Sequence, residues 1–91
     1  MVLSLEERIY INASKKLVEL GKPYGGFMVE EIEVKEAEDF HINAMMFYHF
    51  LERARLLCDL ILEEKEKDKC LLPIQQAETE MVTKLRSLFS K

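Results

Sequence analysis

The chain has 91 residues, 48% of them hydrophobic and 33% charged, with a formal net charge of −4. That length holds one domain, and the composition belongs to a globular chain, not a disordered one. Basic residues are scattered, as in the pairs Lys15/Lys16, Arg53/Arg55 and Lys84/Arg86, with acids interleaved near them, which argues against the concentrated basic face that nucleic-acid binding requires.

Taken in chain order, the first element starts at Ser4. Ser4-Leu5-Glu6-Glu7 has the form of a capping box, in which the serine hydroxyl and the glutamate carboxylate each satisfy a free amide donor. Leu5, Ile9, Ala13, Leu17 and Leu20 then recur four or three apart and predict one apolar stripe on a helix over 4–20. Gly21 followed by Pro23 has the form of a helix stop. Residues 21–35, including Gly25-Gly26, are expected to be an irregular or briefly extended linker.

The dominant element is a helix expected over 36–67. Ala37, Phe40, Ala44, Phe47, Leu51, Ala54, Cys58 and Ile61 are spaced 3-4-3-4-3-4-3, the heptad seam of helical hairpins and coiled coils. Asp68 to Leu72 is expected to be the connection, with Pro73 at the first position of a last helix over 73–89. There Ile74, Ala77, Met81, Leu85 and Leu88 share a face. The fold class expected is therefore all-α: a small bundle in which the long central helix forms an antiparallel hairpin with the C-terminal helix. The whole chain, 1–91, is one helical domain.

A 32-residue helix spans about 48 Å, whereas a compact globule of this length is about 30 Å across. Such a helix must bend or belong to an elongated bundle. Its face opposite the seam carries Glu38, His49, Glu52, Arg53 and Glu63, as a solvated face should. Ile42, Met45, Leu56 and Leu60 lie on that side too, with Met46 at its edge. Several large apolar side chains along one solvated face predict a partner surface. The methionines suit either a core or an adaptable groove.

Little in the sequence points to catalysis. Gly21-Lys22 lacks the upstream glycine of a phosphate loop, and Pro23 stands where its Ser/Thr would be. The serines lie in no nucleophile motif. Cys58 and Cys70 have no metal-type spacing, and a helix continuing from Cys58 to residue 67 would carry the chain about 13 Å away. An intrachain disulfide is therefore not expected. Glu38-x-x-His41 is the one constellation resembling a carboxylate-bridged metal site, but such bundles use two of these motifs and further glutamates. His49 lies about 12 Å along the helix from His41, too far to share an ion with it.

No cofactor is expected. The N-terminus carries acids where a secretory leader needs a basic and then an apolar run, and no apolar stretch approaches the length of a membrane span, so a cytoplasmic location is expected. No motif carries a family resemblance; size, acidity and a long helical hairpin are similar to those of small secretion or flagellar chaperones as a class. The function expected is a non-enzymatic helical protein–protein interaction module: an adaptor, chaperone-like or small regulatory protein. It associates with itself, as a homodimer, through Ile42, Met45, Met46, Leu56 and Leu60. The alternatives are a metal-binding bundle using Glu38 and His41, and a small regulator contacting nucleic acid through Lys84, Arg86 and Lys91.

Overall fold

The computed structural model describes residues 3–33 and 39–90. Over the described residues the protein is all-α, with three helices in an elongated bundle: α1 (Leu5–Glu33), α2 (Phe40–Asp59) and α3 (Glu64–Phe89). Its extents are 49 × 20 × 14 Å and its radius of gyration is 15.1 Å, against about 12 Å for a compact domain of this length. The chain is a narrow plate, not a ball. The antiparallel hairpin of the central and last helices is present, but the most extensive packing is between α1 and α2.

The capping box forms as expected. Ser4 Oγ accepts from the Glu7 amide at 3.1 Å, and the Ser4 amide donates to Glu7 Oε1 at 3.3 Å. The stop at Gly21–Pro23 does not form. α1 runs through GKPYGG to Glu33, so the linker expected over 21–35 is helical as far as residue 33; residues 34 and 35 lie outside the described residues. The reason is a packing seam. Ser14, Val18, Gly21, Gly25 and Met28 are buried at a strict 4-3-4-3 spacing that passes straight through the supposed stop.

Burial of that seam against α2 outweighs the propensity cost of about 3 kcal/mol for an interior proline and about 1 kcal/mol for each glycine. Pro23 and Glu19 are both exposed, so the carbonyl left without a partner four residues before the proline can bond water. The stripe Leu5, Ile9 and Leu20 is also corrected. All three are exposed, because the buried side of α1 is the adjacent track from Ser14 to Met28.

The two glycines of the seam have a steric role. A Cβ on Gly21 would lie 3.1 Å from Phe50 Cβ, and one on Gly25 would lie 2.9 Å from Phe47 Cε1 and 3.0 Å from Met81 Cε. Their missing side chains let the aromatic rings of α2 approach the α1 backbone. Gly26, by contrast, has open space where a Cβ would go. Gly26→Ala should therefore stabilise the protein by about 0.5–1 kcal/mol, a rise in Tm of about 2–8 °C. Thermal unfolding followed by circular dichroism checks this; an unchanged Tm would argue against helix at this position.

The long helix expected over 36–67 is two pieces. α2 ends at Asp59, residues 60–63 turn the chain, and α3 begins at Glu64 instead of 73. Leu60 and Ile61 close the end of α2 through bonds to the Leu57 and Cys58 carbonyls at 3.2 and 3.0 Å. Ile61 folds back into the core with no exposure. Glu63 caps α3, its Oε2 accepting from the Glu66 amide at 2.9 Å. Pro73, expected to open the last helix, lies inside α3. Residues 36–38, including the seam position Ala37, lie outside the described residues.

The early turn brings Cys58 and Cys70 together in a disulfide, with Cα atoms 5.6 Å apart. The expectation of no intrachain bridge assumed helix out to residue 67, and that helix is broken at residue 60. The heptad seam of α2 does form the core: Phe47, Leu51, Ala54, Cys58 and Ile61 are buried, with Phe40 and Ala44 packed against them. From α3 come Cys70, Ile74 and Met81, with Ala77 and Leu85 half-buried beside them.

Candidate interaction surface

Partner positions fix the helix directions. Ser14 Oγ lies 3.3 Å from Cys58 Sγ, and Gly25 faces Phe47, so α1 and α2 are antiparallel. α3 returns along the side of this pair bounded by Gly25, Phe47 and Met81, and Arg55 of α2 holds Glu78 of α3 by an ion pair. Each helix of the α1/α2 pair also carries a second track, one residue before each buried position. On α1 this is Ala13, Leu17, Leu20, Tyr24 and Phe27; on α2 it is Met46, Phe50, Arg53, Leu57 and Leu60.

One residue is a rotation of about 100° on a helix. In antiparallel neighbours the same offset turns both tracks to the same side of the pair. That side is opposite α3. The contacts agree: the rings of Tyr24 and Phe50 stack across the two helices at 5.8 Å, with Phe27 edge-on to Tyr24 at 6.2 Å. Leu17 forms one wall of an open groove of about 680 Å³, whose other wall is Leu56, Leu57 and Leu60 of α2. His49, Glu52 and Arg53 line the rest of it, with Arg53 Nε donating to His49 Nε2 at 2.7 Å.

The five residues expected at a partner surface fall as follows. Leu56 and Leu60, 57% and 53% exposed, border the groove, and Ile42 continues that face toward the start of α2 at 49% exposed. Met46 is half-buried and belongs to the outward track. Met45 is the most exposed of the five, at 67%, and shares the helix face of Glu52 and Leu56, nearer the start of α2 than the groove. The other half of the face, on α1, was not expected. Leu17 and Leu20 fall in the stripe expected to be core, and Tyr24 and Phe27 in the expected linker. The two parallel 4-3-4-3 tracks were the available signal.

Among the described residues, ten hydrophobic side chains are buried and thirteen large ones are exposed. The isolated chain thus leaves more large apolar groups outside than its core encloses, and α3 covers only one side of the plate.

For the metal alternative, Glu38 lies outside the described residues and His41 is exposed on α2. No group of three or more His, Cys, Asp or Glu side chains among the described residues could hold an ion. Lys84 and Arg86 are exposed on α3, and Lys91 lies outside the described residues. No helix of the described residues is long and apolar enough to cross a membrane. No protein-family model, curated protein or solved structure matches the chain.

Proposed function

We propose that the protein is a non-enzymatic helical interaction module that pairs with a second copy of itself through the outer face of α1 and α2. The observation that carries this reading is the doubled track: each helix presents one 4-3-4-3 row to its neighbour and a second to solvent. Stacking two such faces makes a four-helix layer with α3 of each chain outside it, the arrangement in which heptad-spaced rows bury each other.

Size and charge favour a second copy as the occupant. The 20 residues of α2 extend about 30 Å, and the plate is 20 Å wide. The projected face is then about 600 Å² per chain, near the roughly 800 Å² of accessible surface per partner in a standard interface. Arg53 is the only charged residue in the two outward tracks, so the repulsion expected of a chain with net charge −4 is not concentrated there. A two-fold pairing requires a face that complements itself, and rows of matched spacing on antiparallel helices meet that requirement. His49 and Arg53, polar groups amid the apolar row, would set the register.

Leu20→Glu combined with Leu56→Glu tests the reading. Both side chains are about half exposed in the single chain, so the substitutions spare the fold, yet they place two carboxylates per chain inside the proposed interface. Association should weaken at least 100-fold, read by multi-angle light scattering across a dilution series, with the helical circular dichroism retained. Unchanged association in a folded variant would refute this interface. The reading includes a cytoplasmic location, and there the Cys58–Cys70 bond has to be reversible, because thiol pools in that compartment keep static disulfides rare.

A further inference from the structure

We infer that Cys58–Cys70 is a thiol–disulfide exchange site, attacked at the Cys70 sulfur by a small anionic thiol. This rests on observations separate from the proposed dimer face. The two residues of the bridge are not equivalent. Cys58 has no exposure, whereas Cys70 is 7% exposed and lines a cavity of about 270 Å³ between α1 and α3. The same cavity is lined by Ile11 and Pro73 and by three charged groups, Lys15, Glu66 and Lys69. Lys69 is paired with Glu66 at 3.4 Å, and Lys15 has no ion-pair partner among the described residues, so the cavity carries a net positive charge. An approaching thiolate that bears further carboxylates is drawn to it.

The buried side of the bridge suits a leaving group. Ser14, 2% exposed, places its hydroxyl 3.3 Å from Cys58 Sγ, where it can donate a hydrogen bond to a departing thiolate and so favour its release. In the first step the incoming thiolate forms a bond to Cys70 Sγ. The Cys58–Cys70 bond breaks, and its electron pair leaves on Cys58 Sγ, which then takes a proton from solvent. In the second step another small thiolate attacks the outer sulfur of the mixed disulfide and releases the Cys70 thiolate. The two electrons come from the two small thiols, which depart as their own disulfide. The outcome is to free the first turns of α3, while Ile74, Ala77, Met81, Leu85 and the Arg55–Glu78 pair hold the rest of the helix.

The test uses the full oxidised chain with reduced glutathione as the anionic probe and 2-mercaptoethanol as the neutral one, followed by alkylation and peptide mass mapping. The expected adduct is on Cys70, with none on Cys58. Lys15→Glu with Lys69→Glu should slow the glutathione reaction about tenfold and leave the 2-mercaptoethanol rate unchanged, a split that a merely structural effect would not give. Adducts on Cys58 would overturn the inference. So would a reduction rate equal to that of global unfolding, an equal loss with both thiols, or two free thiols in the air-oxidised protein.

Discussion

Gly25→Leu should destabilise the protein by about 2–3 kcal/mol, the upper part of the usual range for overpacking a core, and Gly26→Leu should not. At position 25 even the first carbon of a side chain would lie 2.9 Å from the Phe47 ring and 3.0 Å from the Met81 methyl. The methionine can swing aside, but the phenylalanine is itself buried between helices and can retreat only by moving α2. Leucine does gain about 1 kcal/mol of helix propensity over glycine, which offsets part of the clash and is the whole effect at the open neighbouring position. For a domain of this length the loss corresponds to a fall in Tm of about 10 °C or more. An irregular linker at 21–35 would tolerate both substitutions equally. Urea unfolding of the two variants therefore distinguishes a continuous α1 from a helix that stops at residue 20.

Replacing both cysteines, Cys58→Ala with Cys70→Ala, should cost about 3 kcal/mol. The bridge spans 12 residues, and closing a loop of that size removes about this much unfolded-state entropy. A chain of this length is typically stable by roughly 5–14 kcal/mol in all, so the loss is a large share. It falls on the helix with the fewest anchors: α3 contributes three buried side chains, Cys70, Ile74 and Met81. The unfolding midpoint in urea should drop in the double variant and in the reduced wild-type protein alike, while the variant should ignore reductant. A midpoint indifferent to both changes would mean that the bridge does not hold α3.

Much of the architecture was legible because it is written in spacing. The rows Phe40 to Ile61 and Ile74 to Leu88 repeat at heptad intervals, and both lie against the core; the Ser4–Glu7 cap is equally local. The boundaries were less legible because each depends on a tertiary gain that overrides a local preference. Gly21, Pro23, Gly25 and Gly26 all disfavour helix, and only the close approach of Phe47 and Phe50 shows why the helix persists. At 60–63 the chain turns without glycine or proline, capped by a glutamate that is not among the favoured N-cap residues. A helix continuing past residue 60 without that turn would hold Cys58 and Cys70 apart.

The surface was half legible for the same reason. Ile42, Met45, Leu56 and Leu60 stand out as apolar residues on the solvated side of a helix, with Met46 at its edge. Leu17 and Leu20 do not, because a helix read as ending at residue 20 has one apolar stripe and that stripe must be its core. Extended to residue 33, α1 shows a better-buried row from Ser14 to Met28 with two glycines in it, and the leucines and aromatics beside it are displaced outward. Glycine and serine on the inside, with Leu20 and Phe27 on the outside, is a distribution that makes physical sense when something covers the outside.

The central claim is that a second copy covers it, and sedimentation equilibrium of the wild-type protein from 1 to 100 µM is the most direct test. A species of twice the 10.7 kDa chain mass is expected, dissociating only toward the dilute end. A single 10.7 kDa species throughout that range would contradict it.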